Sequence, residues 1–560
     1  MSELLIRNRH RANRSPWDGE IVHSTRDLEI LLSRTRNGFQ QAESPRTLCL
    51  LVGEPTEPHT ARDLLRAHDD GGVESFADPA GHFVAVLLDK ASAEFTVLRD
   101  RAGFRHAYYS ARARDFAFST DLSWLVRCGG FPQGGDQISS EALALYVSFQ
   151  YIPAPYTPFS GMRQLGPGEV LTRSPDGHVR IEETRSLASN TAAEDDLDGH
   201  ASGIVDLLTA SLIRQIDANR TPAAFLSGGM DTSTNVALLV ERLDVRPMVL
   251  TATFHEADHD ESPHARRVAR HYGLEHSEVT IVPAMLDRMP RLVRLFDSPN
   301  ADRAAFAEYF LAERAREMGC TQVCTGEGGD EILGYPRTRD GEEDYRGLPT
   351  HADELADWYL ERTCLARSPW RHRLLRSLTV DPGLPARHLR DVHSRHIRCT
   401  PFERLYFGQW RTWLIEGVYM KDQRVLSGFG LDPVFPFMDI DLMRYAASIA
   451  PDQKWGGLLD KTFLKTALRD ILPTATLQKA KQKFALPFGE WFRGPARHYL
   501  HDILLSRDGF VRNRFDPDTV TAIVRAHLDG SSDESRLLWG LLFLEFWHRE
   551  LSSVQHVERC

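Results

Sequence analysis

Residues 223–240 read AAFLSGGMDTSTNVALLV. A short apolar run ends at Ser227-Gly228-Gly229, an acid follows at Asp231, and the hydroxyls of Thr232 and Ser233 lead into a second apolar run. The first run has the length of a buried strand and the second the spacing of a helix, so the glycines fall at a strand-to-helix turn. In an open α/β sheet such turns lie at the carboxyl ends of strands, where ligands bind. Two glycines let the backbone curl and approach an anion with no Cβ in the way. Amides in such a nest, backed by a helix N-terminus, bind phosphate oxygens, and Ser227, Thr232 and Ser233 add hydroxyl donors. Asp231 repels bare phosphate, so its place beside the loop implies a bridging divalent cation. The plainer alternative for this stretch alone is a helix capped by Asp231 after a glycine turn.

A second loop makes the first more specific. Gly326-Glu327-Gly328-Gly329-Asp330-Glu331 follows another apolar run, QVCT, at 322–325. If both strands end on one edge of a sheet, Asp330 faces Asp231 across a bound phosphate chain. Two carboxylates with phosphate oxygens make a hard-oxygen site suited to Mg2+. Such an ion neutralises charge on departing pyrophosphate. The spacing is not that of a Walker A loop, because Gly-x-x-x-x-Gly-Lys-Ser/Thr does not occur.

The flanking sequence differs in texture. From about residue 45 to 185, short apolar runs such as TLCLLVG, GHFVAVLLD and EFTVLRD alternate with turns, the pattern of a β-rich domain with few helices. The polar run at 186–200 has linker composition or leads into the next helix. From about 200 to 335, strand and helix patterns alternate, as in a parallel sheet covered on both faces. Beyond 335 the chain is helix-rich and aromatic. Its stretch 336–415, rich in arginine and histidine, reads as a solvated helical insertion, with a wall of an acyl pocket as the alternative.

Length and composition narrow the class. A chain of 560 residues is too long for one core and implies two or three domains. No apolar stretch approaches the roughly 18 residues of a membrane span, and the opening MSELLIRNRHRANRS lacks the apolar core of a secretory signal. A formal charge of −11 with no long basic block makes nucleic acid a poor partner. Seven scattered cysteines suit a reduced, cytoplasmic protein without structural zinc.

Ser-Gly-Gly-x-Asp-Ser/Thr at a strand end resembles the pyrophosphate loop of the ATP-pyrophosphatase superfamily, whose members split ATP into AMP and pyrophosphate. The two loops, in this order after a β-rich region, resemble the asparagine synthetase family. LRDRAGFRHAYYS, FAFSTDLSWLV, YIPAPYTPFSGMRQLGPGEVL, HDESPHARRVARHYGLEHSEV, FDSPNAD and LPTATLQKAKQKFALPFGEWFRG extend the likeness over about residues 45–495. KDQRVLSGFGLDPVFPFMD resembles a segment usually reading Glu-x-Arg-x-Pro-Phe-Leu-Asp, with Asp432 and Val434 substituted. The resemblance implies an α+β glutaminase-like β-sandwich domain of the Ntn type at 1–185 and a linker at 186–200. It then implies an α/β parallel-sheet ATP-pyrophosphatase synthetase domain with a helical C-terminal part at 201–560.

It also implies ATP and Mg2+ as cofactors. Leu226, Ser227, Gly228, Gly229, Thr232, Ser233 and Gly326 would surround the nucleotide, with Asp231 and Asp330 on the metal. Adenine would lie near Thr251 to Thr253. Lys481 corresponds to the catalytic lysine, with Lys479 and Lys483 as close rivals and otherwise ordinary surface lysines. Glu327 is expected to orient an incoming amine or accept its proton. A homodimer stays open.

The departures are as informative. A working glutaminase of this family starts with a cysteine exposed after Met1 is removed, whereas position 2 is Ser2 and the first cysteine is Cys49. The glutamine clamp is reduced to a remnant at Gly53 and Glu54, and a later Asp-Thr-Glu is missing. The nucleophile is then free ammonia or an amine arriving with the substrate, as in β-lactam, carbapenam and lasso-peptide macrolactam synthetases. Glu327 stands where β-lactam-type members tend to carry tyrosine, which weighs against β-lactam closure. The expected activity is AMP-forming ligation of a small-molecule or peptide carboxylate to an amine in specialised metabolism, without glutaminase activity. An ammonia-dependent asparagine synthetase and a silent ATP-binding scaffold are the alternatives.

Overall fold

A computed structural model describes residues 4–8, 19–24, 28–33, 38–55, 60–71, 81–112, 115–128, 138–183, 196–217, 219–333, 347–395, 399–450, 461–479 and 484–557. The chain divides into two compact units, residues 1–142 with 152–187, and residues 143–151 with 188–560. Ser2, Lys481 and Lys483 lie outside the described residues.

The first unit holds two six-stranded sheets. In the strand Thr47–Pro55, Leu48, Leu50 and Val52 face the other sheet, where they meet Leu4, Ile6, Ile30 and Phe118. The alternate residues Cys49 and Leu51 face the helix Ala61–Gly71, packing on Leu64 and Leu65. Burial on both faces explains why this strand reads as a continuous apolar run rather than an alternating one. The first sheet begins earlier than the texture change near residue 45 suggests, with strands Leu4–Asn8, Gly19–Ser24 and Leu28–Ser33.

The second unit is built on a five-stranded parallel sheet. Its strands, from edge to edge, are His276–Thr280, Met248–Thr253, Pro222–Phe225, Gln322–Cys324 and Asp432–Val434. Both edge strands escape the apolar-run reading. His276–Thr280 carries only partly buried or exposed side chains, and Asp432–Val434 is three residues long with a proline at its centre. The chain enters at Pro222–Phe225, builds outward on one side, then returns to build on the other. The reversal lies between Pro222–Phe225 and Gln322–Cys324, which pair directly with Ala224 opposite Cys324. Strand order reversing at two neighbouring parallel strands opens a crevice at their carboxyl ends.

The helix Leu197–Gln215 reaches back into the stretch read as linker, and Asp196 caps it by accepting from Gly199 N at 2.9 Å. Helices dominate after residue 347. The stretch 336–415 supplies Ala352–Thr363, Trp370–Ser377, Leu384–Ser394 and Pro401–Gln409. Without a break the last continues into a π-helical run, Trp410–Tyr419, and then Met420–Gly428. No helix among the described residues is long and apolar enough to cross a membrane.

Candidate active site

The two glycine loops meet at the crevice. A Cβ on Gly326 would fall 2.7 Å from Thr232 Cγ2, and one on Gly329 would fall 2.6 Å from Asp231 Oδ1. Glycine at these positions is what allows the second loop to lie against the first. Asn235, one helical turn beyond Asp231, donates from Nδ2 to the carbonyl of Thr325 at 2.8 Å and ties the two strand ends together.

The first loop has the form its composition predicts. Gly228 adopts φ +73°, and a Cβ there would collide with the backbone of His264 and Ala265 at 2.5 Å. Gly229 is the N-cap of the helix Met230–Glu241 and makes no side-chain capping bond, so the amides of the first turn are not claimed by a cap. Asp231 is therefore not the cap. The Thr232 hydroxyl accepts from Ser227 N and lies 3.2 Å from Ser227 Oγ, closing the loop on itself.

A cavity of about 590 Å3 opens at these loops, bordered by Leu226, Ser227, Gly229, Asp231, Thr232, Gly326, Glu327 and Asp330. Ser233 does not border it. Two residues along a helix rotate a side chain by about 200°, which turns Ser233 away from Asp231 and into the core, where its hydroxyl is buried. Thr251 borders the cavity and Thr253 does not; Thr253 Oγ1 instead donates to Thr280 Oγ1 at 3.0 Å on the edge strand.

Asp231 and Asp330 do face a common cation, and it is Lys461. Its Nζ bonds both Asp231 oxygens and lies 2.6 Å from Asp330 Oδ1. Burial alone lowers the lysine's proton affinity, and the two carboxylates more than reverse this, holding it above the ordinary lysine range. Two convergent carboxylates fit Mg2+ in donor type, with the remaining positions left to phosphate and water. Lys461 fills the place between them.

Lys479 is not the surface lysine expected from sequence. It is buried against Glu261 at 2.6 Å, and both border the cavity. Of the arginine-rich segment, Trp413 borders the cavity, its indole donating to Glu331 Oε1 at 2.8 Å. It belongs to the π-helical run, a local widening often found at functional sites. Asn300 Nδ2 donates to the carbonyls of Glu416 at 3.1 Å and Gly417 at 2.8 Å within that run.

Glu327, also on the cavity, meets a buried lysine. Lys421 Nζ lies 3.0 Å from Glu327 Oε1 and 2.8 Å from Asp422 Oδ1, and bonds Glu308 Oε1. Glu308 comes from the helix Ala304–Glu317, whose cavity-facing residues Ala304, Ala307, Glu308 and Leu311 follow helical spacing. Burial pushes the Glu327 carboxyl up to about 8, against the pull of Lys421, with the nearby acids adding to the rise. Glu308 is raised well above the carboxylate range, first by burial and then by Asp422.

Sequence reading missed Lys461, Lys421, Glu308 and Asp422. The signal for Lys421 and Asp422 is a charged pair directly after the largely apolar helical run LIEGVYM at 414–420. Lys461 carries no spacing signal, being 230 residues from Asp231.

The comparisons with known proteins agree with this architecture. Residues 203–549 match the asparagine synthase family and residues 59–183 the glutamine amidotransferase domain. A glutamine-hydrolyzing asparagine synthetase 1 of Bacillus subtilis (strain 168) is 24% identical over 519 residues, covering 87% of this chain and 80% of the relative. A putative glutamine-hydrolyzing asparagine synthetase of Mycobacterium tuberculosis (strain ATCC 25618 / H37Rv) is 26% identical over 529 residues, covering 87% and 79%. The chain belongs to the asparagine synthase family and is an ATP-dependent carbon–nitrogen ligase of that kind.

Proposed function

We propose that the chain adenylates a substrate carboxylate and joins the acyl group to an amine that does not come from glutamine. The observation that carries this is the meeting of the Ser227–Thr232 loop with the Gly326–Asp330 loop at the strand ends, with Glu327 and buried Lys421 on the same cavity. A carboxylate oxygen attacks the α-phosphorus of ATP, the bond to the β-phosphate oxygen breaks, and pyrophosphate leaves with the electron pair. The uncapped amides after Gly229 and the Ser227 and Thr232 hydroxyls suit the leaving group's oxygens. Asp231 and Asp330 would hold Mg2+, which when bound neutralises pyrophosphate charge. The amine then loses a proton to Glu327 and attacks the acyl carbon, and AMP departs. Lys481 is the proposed stabiliser of charge at phosphorus and at the tetrahedral carbon.

The absence of a glutaminase step rests on the thiols. Cys49, in the N-terminal unit, is fully buried, with burial pushing its thiol up to about 12. Such a thiol has no thiolate to offer glutamine. The amine then arrives as ammonia or on a substrate, and a role in natural-product amide, lactam or macrolactam formation follows from the second case. Asparagine synthesis from free ammonia is the second reading: the relatives bear the name of asparagine synthetases, of the glutamine-hydrolyzing kind, and position 327 is glutamate.

The experiment supplies ATP and Mg2+ with a panel of carboxylic acids, aspartate included, and follows acid-dependent exchange of labelled pyrophosphate into ATP. Exchange with at least one acid and no ammonia released from glutamine is expected. ATP binding with no exchange for any acid, or glutamine hydrolysis, overturns the reading. Asparagine formed from aspartate and ammonia selects the second one.

A further inference from the structure

Trp413 borders the cavity and is fixed at both ends of its ring system. Its indole N–H donates to Glu331 Oε1 at 2.8 Å. Its six-membered ring lies so close to Gly417 that a Cβ there would stand 2.3 Å from Cε3. Tyr151 packs on it with ring centroids 5.8 Å apart. Trp410, in the same helical run, donates to the backbone carbonyl of Glu331 at 3.0 Å, so one glutamate receives both indoles. At 6% exposed, the Trp413 ring has little room to turn.

The backbone that carries this ring is not an ordinary helix. Trp410–Tyr419 is π-helical, and at its end the Met420 N–H bonds the carbonyl of Ile415 before the α-ladder resumes in Met420–Gly428. A change of ladder strands carbonyls that another group has to meet. Asn300 meets them. Its Nδ2 donates to the Glu416 and Gly417 carbonyls, while its Oδ1 accepts from Asp302 N at 3.0 Å. Buried at 2% exposure, it takes the place that solvent fills on an open helix. Asp302 borders the cavity, so one side chain ties the π-helical register to the cavity wall.

We infer that Trp413 is a specificity-determining wall of the acyl subsite, and that Asn300 positions it by holding the π-helical register. The inference rests on the ligase reading and specifies its acid. Strand Met248–Thr253, where the base is expected, and strand Gln322–Cys324, which leads to Glu331, flank Pro222–Phe225 on opposite sides. The acyl group then takes the end of the cavity nearer Glu331, where the indole stands. A ring held by Glu331, seated on Gly417 and backed by Tyr151 does not turn aside for a broad or branched group. The substrate class is a carboxylate borne on a narrow, unbranched stem. Asn300 is not on the cavity and acts through Trp413.

The test measures, by calorimetry on the full chain, the binding of 5′-O-(N-acylsulfamoyl)adenosines carrying propanoyl, pivaloyl or 1-naphthoyl groups. The sulfamate replaces the phosphate, so no turnover enters. The parent chain is expected to bind the propanoyl compound at least about tenfold more tightly than the other two, and Trp413→Ala to lose that preference. Trp413→Phe, which keeps a ring in place, retains it. Asn300→Ala loses it with ATP affinity unchanged, and adds nothing when combined with Trp413→Ala. A merely structural Asn300 would weaken all the ligands alike. Circular dichroism establishes that each variant is folded; if Asn300→Ala does not fold, Trp413→Ala decides. Equal binding of the three compounds by the parent, no binding of any, or the parent's preference in folded Trp413→Ala overturns the inference. Acid-dependent pyrophosphate exchange without a size preference sinks this wall and leaves the ligase reading intact; a size preference without exchange does the reverse.

Discussion

Gly329 lies so close beneath Asp231 that a Cβ on the glycine would stand 2.6 Å from the carboxylate's Oδ1 and 2.7 Å from its Cγ. The contact joins residues 98 positions apart in sequence and fixes how the two loops share the cavity. Asp231 cannot simply swing aside, because Lys461 holds both of its oxygens. In Gly329→Ala the carboxylate is displaced, and acid-dependent pyrophosphate exchange falls at least tenfold. The fold loses about 1–3 kcal/mol, as for other overpacking changes. Exchange rates beside a urea melt check both, and exchange at the parent rate contradicts the shared geometry.

Gly228→Ala is expected to act on stability first. The residue has φ +73°, and the new Cβ would meet backbone atoms of His264 and Ala265, which cannot rotate away. Left-handed backbone alone costs a non-glycine residue about 1–2 kcal/mol. The clash adds to that, so a chemical denaturation midpoint lowered by more than 2 kcal/mol equivalent is expected (about one strained residue plus one overpacked contact).

Lys461→Met removes the cation between Asp231 and Asp330 and leaves two carboxylates facing each other. Breaking a buried ion pair on one side costs about 3–5 kcal/mol. MgCl2 is expected to raise the melting temperature of this variant more than that of the parent chain, with NaCl at equal ionic strength as the control. Identical responses to Mg2+ in the two chains contradict an oxygen site able to accept the ion.

The pH dependence follows from Glu327. Its carboxyl is raised from 4.5 to about 8 by burial, so the folded chain holds a proton there that the unfolded chain has lost. Its contribution to stability is fully present below 4.5 and is lost as pH rises through about 8. Amide formation moves the opposite way, because a proton acceptor must be ionised. Rate is expected to rise toward pH 8 with hydroxylamine as nucleophile, since it is a weak base whose conjugate acid has already lost its proton over this range. Glu327→Gln flattens the profile and lowers the rate about 10²-fold or more. An unchanged profile assigns the proton to another group.

Cys49 gives a simple control on the N-terminal unit. Fully buried and with its thiol raised, it should stay unmodified by an aromatic disulfide reagent in the native protein and react on denaturation. Cys49→Ser should leave pyrophosphate exchange at the parent level. Modification of the native thiol, identified by mass spectrometry, contradicts the buried assignment.

The local devices are legible in the order of residues alone. Glycines at 228 and 229, and at 326, 328 and 329, mark two turns after apolar runs, and the helix and strand periods around them set the parallel sheet. Periodicity also contains the fact that Ser233 leaves the site, since two residues turn a helix by about 200°. Tertiary structure alone decided the charges. Lys461 reaches Asp231 across 230 residues, and Lys421 reaches Glu308 across 113. A lysine's partner is set by where helices and loops dock, and one-dimensional spacing carries no record of docking. The edge strands His276–Thr280 and Asp432–Val434 were hidden for a related reason. An edge strand needs little apolar burial of its own, so its place comes from pairing with a neighbour that only the folded sheet supplies.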